Sequence, residues 1–300
     1  MLFFELKGDF VIACPALSKA FALSLAVPML FLYCCTSLAA PVCFRVMDAT
    51  GYSGKPDLRP LKIQHVTLVE PVRWWTGVPE SHEARRAATM GKMAPLASVR
   101  EPIIVDLELT LTGATNVARN VPTYVGVLDW MRAGGLTGPL SFYSSVPVRD
   151  YWRAIQGPNS PPFRAWQLEN DQLGSIVARV DALYPSLYTF YADQDGWVKY
   201  ATANIAEAHR VGHGRPVYPF IWPQYHMSAH SLAYQNLSRE YWLRELRTIR
   251  DKAEGVVIWG GWDFEHDRPL VWNDSEAWWI ATKEFLAETP NVCEVIKNGP

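Results

Sequence analysis

The chain has 300 residues, 49% of them hydrophobic, 19% charged and 13% aromatic, with 13 Trp and a formal net charge of −2. That is enough apolar material for one large core and suits a single α/β barrel. The near-neutral balance announces no polyanion-binding surface, so nucleic acid is not expected as a partner.

Residues 1–39 stand apart. After Lys19 the chain runs without charge to Ala40 and ends in Thr36-Ser37-Leu38-Ala39-Ala40. Small residues at Ser37 and Ala39 fit a cleaved secretory signal. The apolar stretch also has the length of a membrane anchor, which is the alternative reading. Cleavage predicts a secreted, periplasmic or extracellular protein without stable membrane contact; retention predicts an anchored one. Of five Cys, only Cys43 and Cys293 would remain. They lie near the two ends of the mature chain, which a barrel brings together, and a disulfide between them is expected.

Residues 40–60, with Gly51, Gly54, Pro56 and Pro60, read as an irregular lead-in, and residues 61–300 as one catalytic domain. Strands are predicted at 63–69, 103–109, 140–144, 185–191, 216–222 and 255–260. Helices are predicted at 80–93, 117–132, 165–183, 197–211, after Ser238, and at 275–286. In the fourth of these, Trp197, Tyr200, Ala201, Ile205 and Ala208 share one face; in the fifth, Trp242, Leu246, Ile249 and Ala253 do so behind a Ser238 cap. Alternation of this kind implies a parallel sheet with right-handed crossovers. The predicted fold is a (β/α) TIM-type barrel of seven or eight strands, possessing one or two strands beyond those six. An open doubly wound sheet is the other architecture considered, and the missing Gly-rich phosphate loop counts against it.

The polar and aromatic residues gather where strands end. Ile103-Ile104-Val105-Asp106-Leu107-Glu108 places two carboxyls two apart on an apolar strand, hence on one face. Like charges that close push their proton affinities apart, as acid–base work requires. Tyr143, Tyr188, Tyr191, Trp222, Gln224, Tyr225, Trp259 and Asp263 fall at other strand ends, where a barrel collects its catalytic residues.

With these residues in place, the chain resembles the hyaluronidase family of glycoside hydrolases. Asp106-Leu107-Glu108 matches the family's Asp-x-Glu, and Phe142-Tyr143 followed by Pro147 its aromatic strand. Tyr184-Pro185-Ser186-Leu187-Tyr188 is similar to its Pro-Ser-x-Tyr strand, and Gly255-Val256-Val257-Ile258-Trp259-Gly260 to its last strand. The resemblance spans residues 60–265. It departs from the family at Leu107, where an aromatic is usual, and at Leu109-Thr110. A chitinase-like pattern fails, because Ile104 and Glu101 stand where two Asp would be needed.

The resemblance implies retaining, substrate-assisted hydrolysis beside an N-acetylhexosamine of a polysaccharide or glycosaminoglycan-like substrate. Glu108 would be the general acid/base, with the raised proton affinity, and Asp106 the group holding the acetamido N–H. Tyr188, with Tyr143, would donate to the acetamido oxygen, and Trp259 would wall its methyl group. Tyr191, Trp222, Gln224, Tyr225 and Asp263 would contact substrate. Neither a cofactor nor a metal is expected: His209/His213 and His226/His230 have helical spacing but no Glu between them. Arg149, Arg153, Arg164 and Lys199 are the cations available to a uronate. Two other functions fit the same residues. One is a carbohydrate-binding barrel without turnover. The other is a glycosidase on another sugar with Asp193, Asp195 or Asp263 as second carboxylate.

Overall fold

The computed structural model describes residues 43–295; the signal or anchor segment, residues 1–39, lies outside them. The chain opens with β1 (Arg45–Thr50), β2 (Ile63–His65) and β3 (Thr67–Val69), followed by α1 (Pro71–Trp74) and α2 (His82–Met90). Next come β4 (Ile103–Val105), α3 (Ala114–Ala133) and β5 (Leu140–Phe142). Helices α4 (Tyr151–Ala154), α5 (Pro161–Asp171), α6 (Gly174–Val177) and α7 (Gln194–Gly212) precede β6 (Phe220–Ile221). Then α8 (Arg239–Arg250), β7 (Gly255–Gly260), the hairpin β8 (Trp262–Asp263) and β9 (Arg268–Pro269), and α9 (Ala277–Ala287) complete the order.

The strands form a seven-membered parallel ring. β1 pairs with both β2 and β7, β7 with β6, β3 with β4, and β4 with β5, all parallel. β2 and β3 are one strand broken at Val66, whose N–H still reaches the Asp48 carbonyl. Residues 183–189 close the gap. Ser144 donates its N–H to Tyr184 O on one side, and Leu187 donates to Phe220 O on the other. Parallel bridges Tyr143–Tyr184, Leu183–Val217 and Ser186–Phe220 continue the register. The TIM-type barrel is therefore closed by hydrogen bonds, and the open doubly wound sheet is excluded.

Side chains alternate through the wall with period two. Met47, Val66, Ile104, Tyr184, Phe220 and Val257 fill the interior. Val46, Ile103, Val105, Val256 and Ile258 face the helices and join the outer core. Helix α8 shows the outer layer's logic: Ser238 accepts from the Tyr241 N–H, and Trp242, Leu246 and Ile249 are buried. Each such side chain contributes about 1.5–3 kcal/mol of burial. Phe44 pairs with Val292, and the expected Cys43–Cys293 disulfide joins the segments before β1 and after α9.

Several predicted boundaries need correction. β1 lies within the supposed lead-in, and supplies a strand that the sequence pattern does not reveal. The helix predicted over 165–183 ends at Asp171, with α6 as a separate turn, because 182–183 belong to the barrel wall. The strand predicted over 103–109 stops at Val105. Between β1 and β2 there is no covering α-helix, only a 3-10 turn at Arg59–Leu61. A cavity of about 720 Å³ remains there, among Asp48, Lys55, His65 and Arg100. Its buried charge is internally paired, Lys55 Nζ lying 2.5 Å from Asp48.

Candidate active site

A second cavity, of about 370 Å³, opens at the carboxyl ends of the strands. It is smaller, but it holds the chemistry. Asp106, Glu108, Tyr143, Tyr188, Trp222 and Trp259 all line it. Although β4 ends at Val105, the alternation persists beyond it. Leu107 is fully buried in the outer core, so Asp106 and Glu108 turn together to the inside.

Tyr124 of α3 fixes this short segment. Its hydroxyl accepts from the Leu109 N–H at 3.1 Å and sits within hydrogen-bond reach of the Leu107 and Leu109 carbonyls. Nothing in the sequence near Glu108 announces this contact, fifteen residues away. Tyr124→Phe should cost about 1–3 kcal/mol, because it leaves buried backbone groups unpaired. Urea unfolding of the variant measures that loss; an unchanged midpoint would mean the hydroxyl holds nothing.

The two carboxyls differ in exposure: Asp106 is half-buried and Glu108 exposed. Asp106 is pushed up to about 7, first by burial, then by the charges of Glu108 and Glu70, with Arg73 opposing. The rise at Asp106 has a simple cause: burial strips hydration from its charged form, and a second carboxyl beside it opposes ionisation.

Tyrosines and tryptophans build the opposite wall. Tyr143 donates to Ser186 Oγ at 3.0 Å and is pushed up to about 12 by burial. Tyr188 is raised well above its ordinary value, mainly by burial and then by Tyr143, so both hydroxyls are protonated donors. Trp259 stacks on Tyr188 with centroids 5.5 Å apart, and Trp222 meets Trp259 edge-on at 5.0 Å. Behind Tyr188, Thr189 donates to the fully buried Glu245, whose carboxyl burial keeps well above its usual range.

Four expected contacts lie elsewhere. Tyr191 stands outside the cavity, against Trp152. Gln224 donates to the Tyr234 carbonyl, tying a loop, and Tyr225 packs against Tyr241 of α8. Asp263 accepts from the Glu265 and His266 N–H groups and caps the β8–β9 turn. In their place the cavity gains Leu68, Arg149, Phe220, His226, Met227 and Phe264. Phe264 stacks on Tyr234 at 5.3 Å along one rim.

His226 is pulled down to about 4 by burial and by the Arg149 charge, so it is neutral at pH 7. Its Nδ1 accepts the Ser228 N–H, which leaves the ring proton on Nε2. Of the four basic residues named above, Arg149 alone lines the cavity, and it has no ion pair among the described residues. Arg153 is held by Asp150 and Glu169. No cluster of three metal-binding side chains occurs among the described residues.

The described residues form a closed parallel TIM-type barrel with paired carboxyls and aromatic walls at its carboxyl-end face. No protein-family model matches the chain. It is 36% identical over 102 residues to Hyaluronidase-1 of Bos taurus, covering 31% of this chain and 22% of that protein. The chain thus aligns with about a fifth of the curated relative's length. The crystal structure of bee venom hyaluronidase superposes with a TM-score of 0.54 at 14% identity, over 82% of this chain and 95% of that one. Bee venom hyaluronidase in complex with a hyaluronic acid tetramer gives 0.46 at 17% identity, over 69% and 70%. The chain is a distant hyaluronidase-like relative.

Proposed function

We propose that this protein is a secreted, retaining glycoside hydrolase that cleaves a polysaccharide beside an N-acetylhexosamine, using the substrate's own acetamido oxygen as nucleophile. The observation that carries the reading is the pair Asp106 and Glu108 in one aromatic-walled cavity, with Asp106 pushed up to about 7. Such a pair holds one proton between two carboxyls near neutral pH.

The mechanism follows from where that proton goes. In the free protein it rests on Asp106, the less hydrated carboxyl. A sugar bound over Glu108 strips water from Glu108 too, and the proton passes to it. Glu108 delivers it to the leaving glycosidic oxygen as the acetamido oxygen attacks the anomeric carbon. Asp106, now ionised, accepts the acetamido N–H and balances the positive charge of the cyclic intermediate. Glu108 then takes a proton from water, which opens that intermediate with net retention. Tyr188 and Tyr143 donate to the acetamido oxygen and orient it, while Trp259 walls the methyl group.

Secretion is part of the proposal. The Cys43–Cys293 bridge, which suits an oxidising compartment, supports it. The test is to incubate the protein with hyaluronan, chondroitin, chitin oligomers and peptidoglycan, and to size the products. Shortened chains from an N-acetylated polymer are expected. Intact polymers throughout would end the hydrolase reading.

A further inference from the structure

Trp152 and Tyr191 take no part in the cavity, yet the fold leaves them 59% and 38% exposed beside it. Their ring centroids are 5.3 Å apart. Tyr151 packs beneath both, 5.2 Å from Trp152 and 4.8 Å from Tyr191, and rests in turn 5.1 Å from the buried Tyr200. Large rings anchored from below and bare above are held ready at little entropic cost.

The pair is also continuous with the carboxyl site. From Tyr188, His226 follows at 6.1 Å, Phe190 at 4.9 Å from His226, and Tyr191 at 6.4 Å from Phe190. A row of rings therefore runs from the paired carboxyls to Trp152. At the Trp152 end Arg153 is bound by Asp150 and Glu169, and Arg149, the cation of the row without an ion pair among the described residues, lies further in, over Phe190 at 5.8 Å. A pyranose presents an apolar face of C–H bonds and a polar rim of hydroxyls. Flat, neutral, rigid rings suit that face.

We propose that the Trp152–Tyr191 pair is an outlying stacking platform for a sugar ring of the polysaccharide, engaged only by chains long enough to extend beyond the cavity. The identity of the ligand rests on the hydrolase reading, whereas binding at the platform does not require turnover. The test compares tetrasaccharides and decasaccharides of hyaluronan and chondroitin. Binding is measured by calorimetry in the Glu108→Gln background, and cleavage with Glu108 intact.

Trp152→Ala should weaken decasaccharide binding about tenfold and leave tetrasaccharide binding unchanged. Trp152→Phe, which keeps a flat ring, should restore most of the loss. Equal binding of decasaccharide by Trp152→Ala and its parent overturns the platform, and so does failure of the parent to bind any decasaccharide. If decasaccharide binding depends on Trp152 but the intact protein cuts nothing, the platform stands and the hydrolase reading falls. If cleavage occurs with no dependence on Trp152 at either length, the hydrolase reading stands and the platform falls.

Discussion

Replacing Glu108 by glutamine should lower polymer turnover at least about 10²-fold, the ordinary contribution of a general acid, while the fold and the substrate affinity persist. The persistence follows from position. Glu108 is exposed and makes no ion pair among the described residues, so losing its charge removes no structural contact. Its backbone is held from both sides by the Tyr124 hydroxyl, which the substitution does not touch. Single-turnover cleavage gives the rate and calorimetry the affinity. Near-full turnover would transfer the acid role to another group. Unchanged binding without cleavage in either protein would favour the sugar-binding barrel without turnover.

The two-carboxylate glycosidase is already weakened. Asp193 caps α7 through the Gly196 N–H, Asp195 pairs with Arg244 on the surface, and Asp263 is occupied by its own turn. None of the three lines the cavity.

What the sequence disclosed followed from periodicity. The two-residue alternation from Ile103 onward put Asp106 and Glu108 on one side, and it did so although the strand itself is three residues long. The Gly255–Gly260 strand was equally plain, because a run buried on both faces has few alternatives. β1 was hidden for the opposite reason. Arg45, Asp48 and Thr50 make it look like a loop, and Asp48 is tolerated only because Lys55 and Thr50 meet it in space.

The cavity's second half was less legible. Arg149, Met227 and Phe264 sit in loops, whose paths depend on closure of the ring rather than on any local pattern. Conversely, Gln224 and Tyr225 follow β6 closely and still point away, since the Gln224 amide donates to the Tyr234 carbonyl and Tyr225 turns to α8. Strand ends predict proximity to the face, and loop hydrogen bonds decide which side chains enter it.

Asp106→Asn should make the protein more stable at pH 8 and leave it nearly unchanged at pH 4. The carboxyl of Asp106 is pushed up from 3.8 to about 7 in the folded chain, by burial first and by Glu108 second. The folded state therefore binds this proton more tightly than the unfolded state does. At pH below about 4 both states are protonated and nothing is lost. Between about 4 and 7 the unfolded carboxyl ionises while the folded one resists, so stability falls as pH rises. Above about 7 both are ionised and the penalty is complete, with a ceiling of about 4 kcal/mol. The open side of the cavity keeps the real figure below that ceiling. Asparagine has the same shape and never ionises, which removes the penalty and with it the slope. Denaturant unfolding of both proteins from pH 4 to pH 8 reads the effect of Asp106 together with the carboxyls coupled to it, Glu108 first, because titrating groups remote from the pair cancel in the difference. Two parallel stability curves would mean that Asp106 titrates as an ordinary carboxyl. The proton assigned to the pair would then have no holder.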